Sequence, residues 1–151
     1  MNKCVPMIER LRASRGAALL ETALTLPLIL LVSVSIFEFG RAYQTWQILT
    51  NAAREGARVA VLPNEAVSDV QARVRSYMTS GQLPNAGAAG VVVTATTISI
   101  GATTAPASLV TVNYPFQFIV LNPVARLVVG GSTLGSAPFT MTASAQMRNE
   151  Q

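Results

Sequence analysis

The chain has 151 residues, of which 50% are hydrophobic and 12% charged, a composition that indicates one domain of ordinary size with a membrane segment. Its net charge of +4 is uneven, because the first sixteen residues hold four Lys or Arg against one Glu while the remainder is nearly neutral. This distribution argues against nucleic acid as a partner, since backbone binding needs a clustered basic face on the folded part.

A long first helix is predicted from residue 17 to residue 62. Residues 17–37 are rich in apolar side chains and contain one ionisable group, Glu21; as a helix they are about 30 Å long, which spans a bilayer. Pro27 lies inside this span, where membrane helices tolerate the loss of one backbone donor. The basic residues before it are typical of a cytoplasmic flank. Beyond about Glu38 the apolar residues recur every three or four positions, so the second half is predicted to be amphipathic.

Residues 63–151 are predicted to form a globular α+β head. A second short helix is expected after Asn64, a candidate cap, with an apolar stripe through Val67, Val70 and Val74. Three runs rich in β-branched and aromatic residues, 91–100, 109–120 and 139–148, predict a small antiparallel sheet covered on one side by the two helices. Pro115 interrupts the second run, which favours a bulge or an edge position there.

An enzyme is not expected. The chain has no histidine and a single cysteine, Cys4, so the commonest general base and metal ligand is missing. No Gly-x-Ser-x-Gly elbow is present, and the carboxylates are scattered. We therefore predict no catalytic residues, no cofactor and no metal.

Glu21 requires an explanation, because a carboxylate in a bilayer-embedded helix costs a few kcal/mol and usually has a partner or a function. In one interpretation it marks the inner boundary of the span and reaches the headgroups. In the other, the chain is cut after Gly16, and the new amino group of Ala17 or of a neighbouring subunit pairs with Glu21. Gly16 suits such a site, because glycine resists helix by up to about 1 kcal/mol relative to alanine.

The motifs Gly16-x-x-x-x-Glu21, Leu26-Pro27, "EFGR" at 38–41 and "NAAREGAR" at 51–58 together resemble the TadE/TadG-like pseudopilins of the tight-adherence (Flp) pilus system. The resemblance is dense over residues 15–63 and looser over the strands. It implies that residues 1–16 are a prepilin leader, removed between Gly16 and Ala17 by a prepilin peptidase, and that Glu21 is the subunit-pairing residue. It implies further partners: other pilins or pseudopilins, the inner-membrane assembly platform and the lipid bilayer.

The resemblance also implies a location in the bacterial inner membrane, with the leader in the cytoplasm and the head outside it. The function implied is that of a minor pilin taking part in pilus assembly, adhesion or biofilm formation. Two alternatives stay open: a signal-anchored extracytoplasmic binding domain unrelated to pili, and a major pilin. A head of about ninety residues favours the minor role, because major Flp pilins are much shorter and nearly all helix.

Charged residues in the second half of the long helix form two groups. Glu38 and Arg41 are expected to pair at the membrane boundary, with Gly40 between them permitting close helix approach. Arg54, Glu55 and Arg58 either form a face for other pilus components or serve a structural role through a Glu55–Arg58 pair, worth a few tenths of a kcal/mol.

Overall fold

The computed structural model describes the backbone of residues 7–123 and 138–149, and the side chains of residues 16–123 and 138–149. Two helices and three strands follow one another along the chain: α1 (Met7–Ala60), α2 (Val67–Ser80), β1 (Gly90–Ile100), β2 (Thr103–Phe116) and β3 (Phe139–Arg148). The strands form one antiparallel sheet in the order β1-β2-β3. The predicted α+β fold, with a long first helix, a short second helix and a three-stranded sheet, is confirmed.

The long helix α1 continues without a break through Gly16 and Pro27. Three of its hydroxyl groups need no outside partner, because those of Thr22, Ser33 and Ser35 donate to carbonyl oxygens four residues earlier at 2.8–2.9 Å. Proline has no N–H, so the carbonyl of Ala23 lacks its usual helical donor. The helix therefore presents a largely satisfied backbone and satisfied hydroxyls to its surroundings, as a helix in lipid must.

The core lies where the last third of α1 crosses α2 and the sheet. The α1 side of this contact is made of small residues, Ala52, Ala53, Gly56 and Ala57, which are all buried. A Cβ added at Gly56 would overlap Cγ2 of Val74 in α2 and lie 3.2 Å from Cγ1 of Val110 in β2. The absence of a side chain at Gly56 is thus what lets the three elements meet.

Helix α2 places its predicted stripe, Val67, Val70, Val74 and Tyr77 or Met78, on the core with one exception. Val70, Val74 and Met78 are buried, whereas Val67 is exposed. The expected cap was wrong: Ala66 is the N-cap, and it makes no side-chain hydrogen bond. Asn64 instead has φ of 64°, a left-handed conformation that asparagine tolerates, and it forms part of the turn between the helices.

Strand β2 is shifted relative to its predicted run, beginning at Thr103 rather than residue 109 and ending at Phe116 rather than residue 120. Its early start follows from a tight hairpin with β1, in which Ile100 pairs with Thr103 and Gly101 adopts φ of 62°. Pro115 lies within this central strand, but β1 pairs only as far as Asn113. Of the described strands only β3 flanks β2 at Pro115, so the predicted edge position holds locally.

Candidate functional site

The stem is the part of α1 formed by residues 16–37. All its residues are exposed apart from the partly covered Val34 and Ser35, and they include large apolar side chains such as Leu19 at 72% and Phe37 at 80% exposure. The apolar window within residues 16–60 has a mean hydropathy of 2.1. A contiguous apolar surface of this size is not stable in water. The stem therefore fits a single-pass membrane anchor.

The predicted cleavage site lies on an open part of this helix. Gly16 and Ala17 are exposed, and no atom of the described residues lies within 4 Å of a Cβ placed at Gly16. The backbone there is helical, so a protease that binds an extended chain has to unwind it locally. Glu21 is also exposed, and none of the cations whose side chains are described lies within ion-pair distance of it. Its pairing with an amino group stays a prediction.

A second site, the Glu38 clamp, joins the top of the stem to the segment after β2. Glu38 is only 5% exposed. Its carboxylate accepts hydrogen bonds from the amides of Ile119, at 3.1 Å to each oxygen, and Val120, at 3.2 Å. These two amides continue the chain from β2, which explains why the strand ends at Phe116: they bind a carboxylate instead of a neighbouring strand.

Arg41 completes the Glu38 clamp. Its Nη2 donates to Glu38 Oε2 at 3.1 Å and to the carbonyl of Gln117, and its guanidinium carbon lies 4.6 Å from the centre of the Phe116 ring. The side chains of Glu38 and Arg41 are thus paired as predicted, but the pair also holds the segment 117–120, which sequence reasoning missed. No described atom lies within 4 Å of a Cβ placed at Gly40, so packing within the chain does not require that glycine.

A third site lies in the "NAAREGAR" block, where Glu55 joins the two helices. Arg73 of α2 donates to Glu55 Oε1 from Nη2 at 2.6 Å and from Nε at 3.1 Å. The predicted partner Arg58 lies further away, at 3.7 Å from Oε2. The hydrogen bond from Arg73 is the main reason why the pKa of Glu55 is lowered. Partial burial of the carboxylate opposes this shift, and the positive charges of Arg73 and Arg58 add to it. Arg54 is exposed and forms no ion pair with any residue whose side chain is described.

The "NAAREGAR" block therefore has two faces with different roles. Its small residues pack into the core, and its charged residues lie outside, where one of them, Glu55, binds α2. The Arg73 contact was missed because it joins residues 18 positions apart, and only the packing of α2 on α1 brings them together. A long-range partner of this kind leaves no periodic signal in the sequence.

The described residues contain no group of three or more Cys, Asp or Glu that is placed to bind a metal. Their charged side chains are engaged in joining elements, as in the Glu38 clamp and the Glu55–Arg73 pair, or are exposed. This arrangement can fix a head on a stem and offer surfaces to partners.

The fold and these sites define a class: a protein with one long N-terminal helix whose first part fits a membrane anchor and whose last part is the spine of an α+β head. Residues 16–58 match the family model described as TadE-like protein. The resemblance seen in the sequence is thus confirmed over these residues, which are similar to a family associated with the Tad pilus. Members of that family are typically structural proteins. Neither the curated proteins nor the solved structures contain a match to this chain.

The matched segment begins at Gly16 and ends at Arg58. It therefore covers the stem, the residues of α1 in the Glu38 clamp and the small residues of the core. The second helix and the sheet lie outside it.

Proposed function

We propose that this protein is a minor pilin, or pseudopilin, of a tight-adherence (Flp) pilus, and that a prepilin peptidase processes it after Gly16. The observation that carries this proposal is where the family match begins. It starts at Gly16, the residue before the proposed new terminus, and leaves the basic segment in front of it unmatched. The helix that follows supplies an apolar stem, a carboxylate five residues after Gly16 and a spine for the head.

In this proposal the leader faces the cytoplasm and the head lies outside it, in accordance with the positive-inside rule. Cleavage creates an ammonium group at Ala17, and Glu21 becomes the fifth residue of the mature chain. The carboxylate then pairs with the ammonium of its own or a neighbouring subunit. Such a pair offsets the cost of placing a charge in lipid, a few kcal/mol. Where the ammonium belongs to a neighbouring subunit, the cost is offset only when the subunits assemble.

Intact mass of the protein purified from its own membrane tests the processing step. The mature chain is expected to begin at Ala17, and the same protein from cells without prepilin peptidase is expected to begin at or near Met1. A matched variant, Gly16→Leu, is expected to keep the leader because its side chain obstructs the scissile bond. Retention of residues 1–16 in cells with active peptidase and normal pili would refute the processing.

The pairing role of Glu21 needs a separate experiment. A Glu21→Ala variant is expected to insert in the membrane and to be cleaved, but to be lost from assembled pili. Glu65→Ala is the matched control, because Glu65 is an exposed carboxylate of the head. Normal incorporation of Glu21→Ala into pili would contradict the pairing. Counting copies per unit length of filament separates a minor pilin from a major one.

A further inference from the structure

An aromatic groove lies on the head immediately beyond the stem. It has a volume of about 890 Å³, and its walls are α1, the segment after β2 and the beginning of β3. Aromatic rings line most of it: Phe39, Tyr43 and Trp46 from α1, with Phe118 and Phe139 opposite. Four of these rings are between 46% and 62% exposed. None of the described residues that line the groove is charged.

The aromatic groove is continuous with the surface of the stem. Phe39 follows the span by two residues, and Phe118 packs edge-on against it at 6.0 Å between ring centres. The one charged residue between stem and groove, Glu38, is buried and paired. Ile119, bound to Glu38 through its amide, is 66% exposed and lies at the same level. Apolar surface thus extends from the membrane span onto the base of the head.

The distance from the membrane decides whether lipid can reach the groove. At a rise of 1.5 Å per residue, Phe39 lies about 3 Å and Trp46 about 14 Å beyond Phe37 along the helix. The headgroup layer is about 5–8 Å thick on each side, so an upright stem leaves Trp46 in water. A stem tilted by about 40°, the upper end of the usual range, lowers the Cα of Trp46 to about 10 Å and turns its ring toward the headgroups.

We propose that the head lies against the outer surface of the bilayer through the aromatic groove, with the stem tilted toward that side and the rings among the lipid headgroups. The proposal rests on the membrane anchoring proposed above. Aromatic rings with one polar edge favour this layer, and Tyr43 and Trp46 are of this type. A lipid surface is preferred over a second copy of the chain because the groove begins where the span ends and shares its apolar surface.

Trp46 is a natural probe, since it is the only tryptophan in the chain. The full chain is reconstituted at low protein density into phosphatidylcholine vesicles, and flotation with the vesicles first establishes anchoring. Vesicles are then prepared with a spin label at the headgroup or near the end of the acyl chain. Trp46 emission is expected to be quenched by the headgroup label, to be little affected by the deep label, and to resist acrylamide added outside.

The possible results separate the explanations. Quenching by acrylamide without quenching by the headgroup label places Trp46 in water and overturns the proposal. Protection from both quenchers indicates that a second copy covers the groove, and it also overturns the proposal. Either result leaves the proposed pilin function intact if the protein floats with vesicles, whereas failure to float refutes the anchoring itself.

Substitutions in the groove provide the matched test. Phe139→Ser removes an exposed ring at the beginning of β3 and is expected to decrease quenching by the headgroup label and increase quenching by acrylamide. Val92→Ser, which removes an exposed apolar side chain from the other edge strand, is expected to change neither. Far-UV circular dichroism verifies that both variants fold. Equal behaviour of the two variants would contradict a role for the groove.

Discussion

Replacing Gly56 by alanine tests whether close approach of α1, α2 and the sheet depends on a missing side chain. The new methyl group would overlap Cγ2 of Val74 and press on Cγ1 of Val110. Both valines are fully buried, and their branched side chains have few other rotamers. Forcing a methyl group into such a core costs about 1–3 kcal/mol. The better helix propensity of alanine opposes this by up to about 1 kcal/mol.

Gly40→Ala is the matched control, because the same change on the same helix meets nothing within 4 Å. It is expected to leave stability unchanged or to raise it by up to about 1 kcal/mol. Both variants gain the same helix propensity from alanine, so the difference between their free energies of unfolding measures the cost of the overlap at Gly56, about 1–3 kcal/mol. For a head of this size each kcal/mol corresponds to about 4–8 °C in the midpoint of thermal unfolding.

The assay is thermal unfolding of the full chain in a mild non-ionic detergent, followed by near-UV circular dichroism. Gly56→Ala is expected to melt well below Gly40→Ala. Adding Val74→Ala to Gly56→Ala is expected to recover part of the loss, since contacting residues are coupled by about 0.5–3 kcal/mol. If Gly56→Ala melts with Gly40→Ala, or if Val74→Ala gives no recovery, the packing explanation is wrong.

Three further predictions concern the polar contacts. Because the pKa of Glu55 is lowered in the folded state, its pair with Arg73 stabilises fully above the ordinary glutamate pKa of about 4.3 and is lost as pH falls through the lower folded pKa. Glu55→Gln is therefore expected to lose about 0.5–1 kcal/mol at pH 7 and progressively less as the pH falls through the folded pKa, and a loss that does not change with pH would contradict the pair. Glu38→Gln is expected to weaken the Glu38 clamp, so that hydrogen exchange at the amides of Ile119 and Val120 becomes at least about tenfold faster, equivalent to 1.4 kcal/mol, while amides in β1 are unchanged; unaltered exchange at 119 and 120 would refute the clamp. Ser108→Ala is expected to cost about 1 kcal/mol in urea unfolding, because the buried hydroxyl lies 3.2 Å from the carbonyl of Ala60 and 2.9 Å from Oδ1 of Asn149; Ser144→Ala on the exposed face is its control.

The sequence predicts the fold well where its signal is periodic or compositional. A stem of uniform apolarity and strands of β-branched residues each indicate one structure, and the fold class followed from them. Boundaries set by a single contact were harder to predict. The end of β2 depends on Glu38, which binds the amides of Ile119 and Val120, 81 and 82 residues away in sequence. The left-handed conformation of Asn64 likewise depends on how the two helices meet, and α2 begins after it, at Val67.

The candidate site was predictable in part for the same reason. The Glu38–Arg41 pair has helical spacing, so the sequence identifies it directly. Arg73 has no such spacing relative to Glu55 and becomes visible only after α2 is docked. The role of Gly56 could not be predicted either, because glycine within a helix lowers helix stability, and only the structure shows the close contact that requires it. Family resemblance indicated the importance of the block without giving this physical reason.

The sites act together because they all lie on or against the single helix α1. The stem of α1 suits lipid, and its last third is the spine of the head, so the two parts cannot separate without breaking the helix. The Glu38 clamp fixes the segment after β2 to α1 one turn beyond the span, and Gly56 with its small neighbours fixes the sheet near the other end. Because the sheet is held at both points, rotation or pulling of the stem must move the whole head. In the proposed pilin function, any force applied to the stem would therefore reorient every surface of the head.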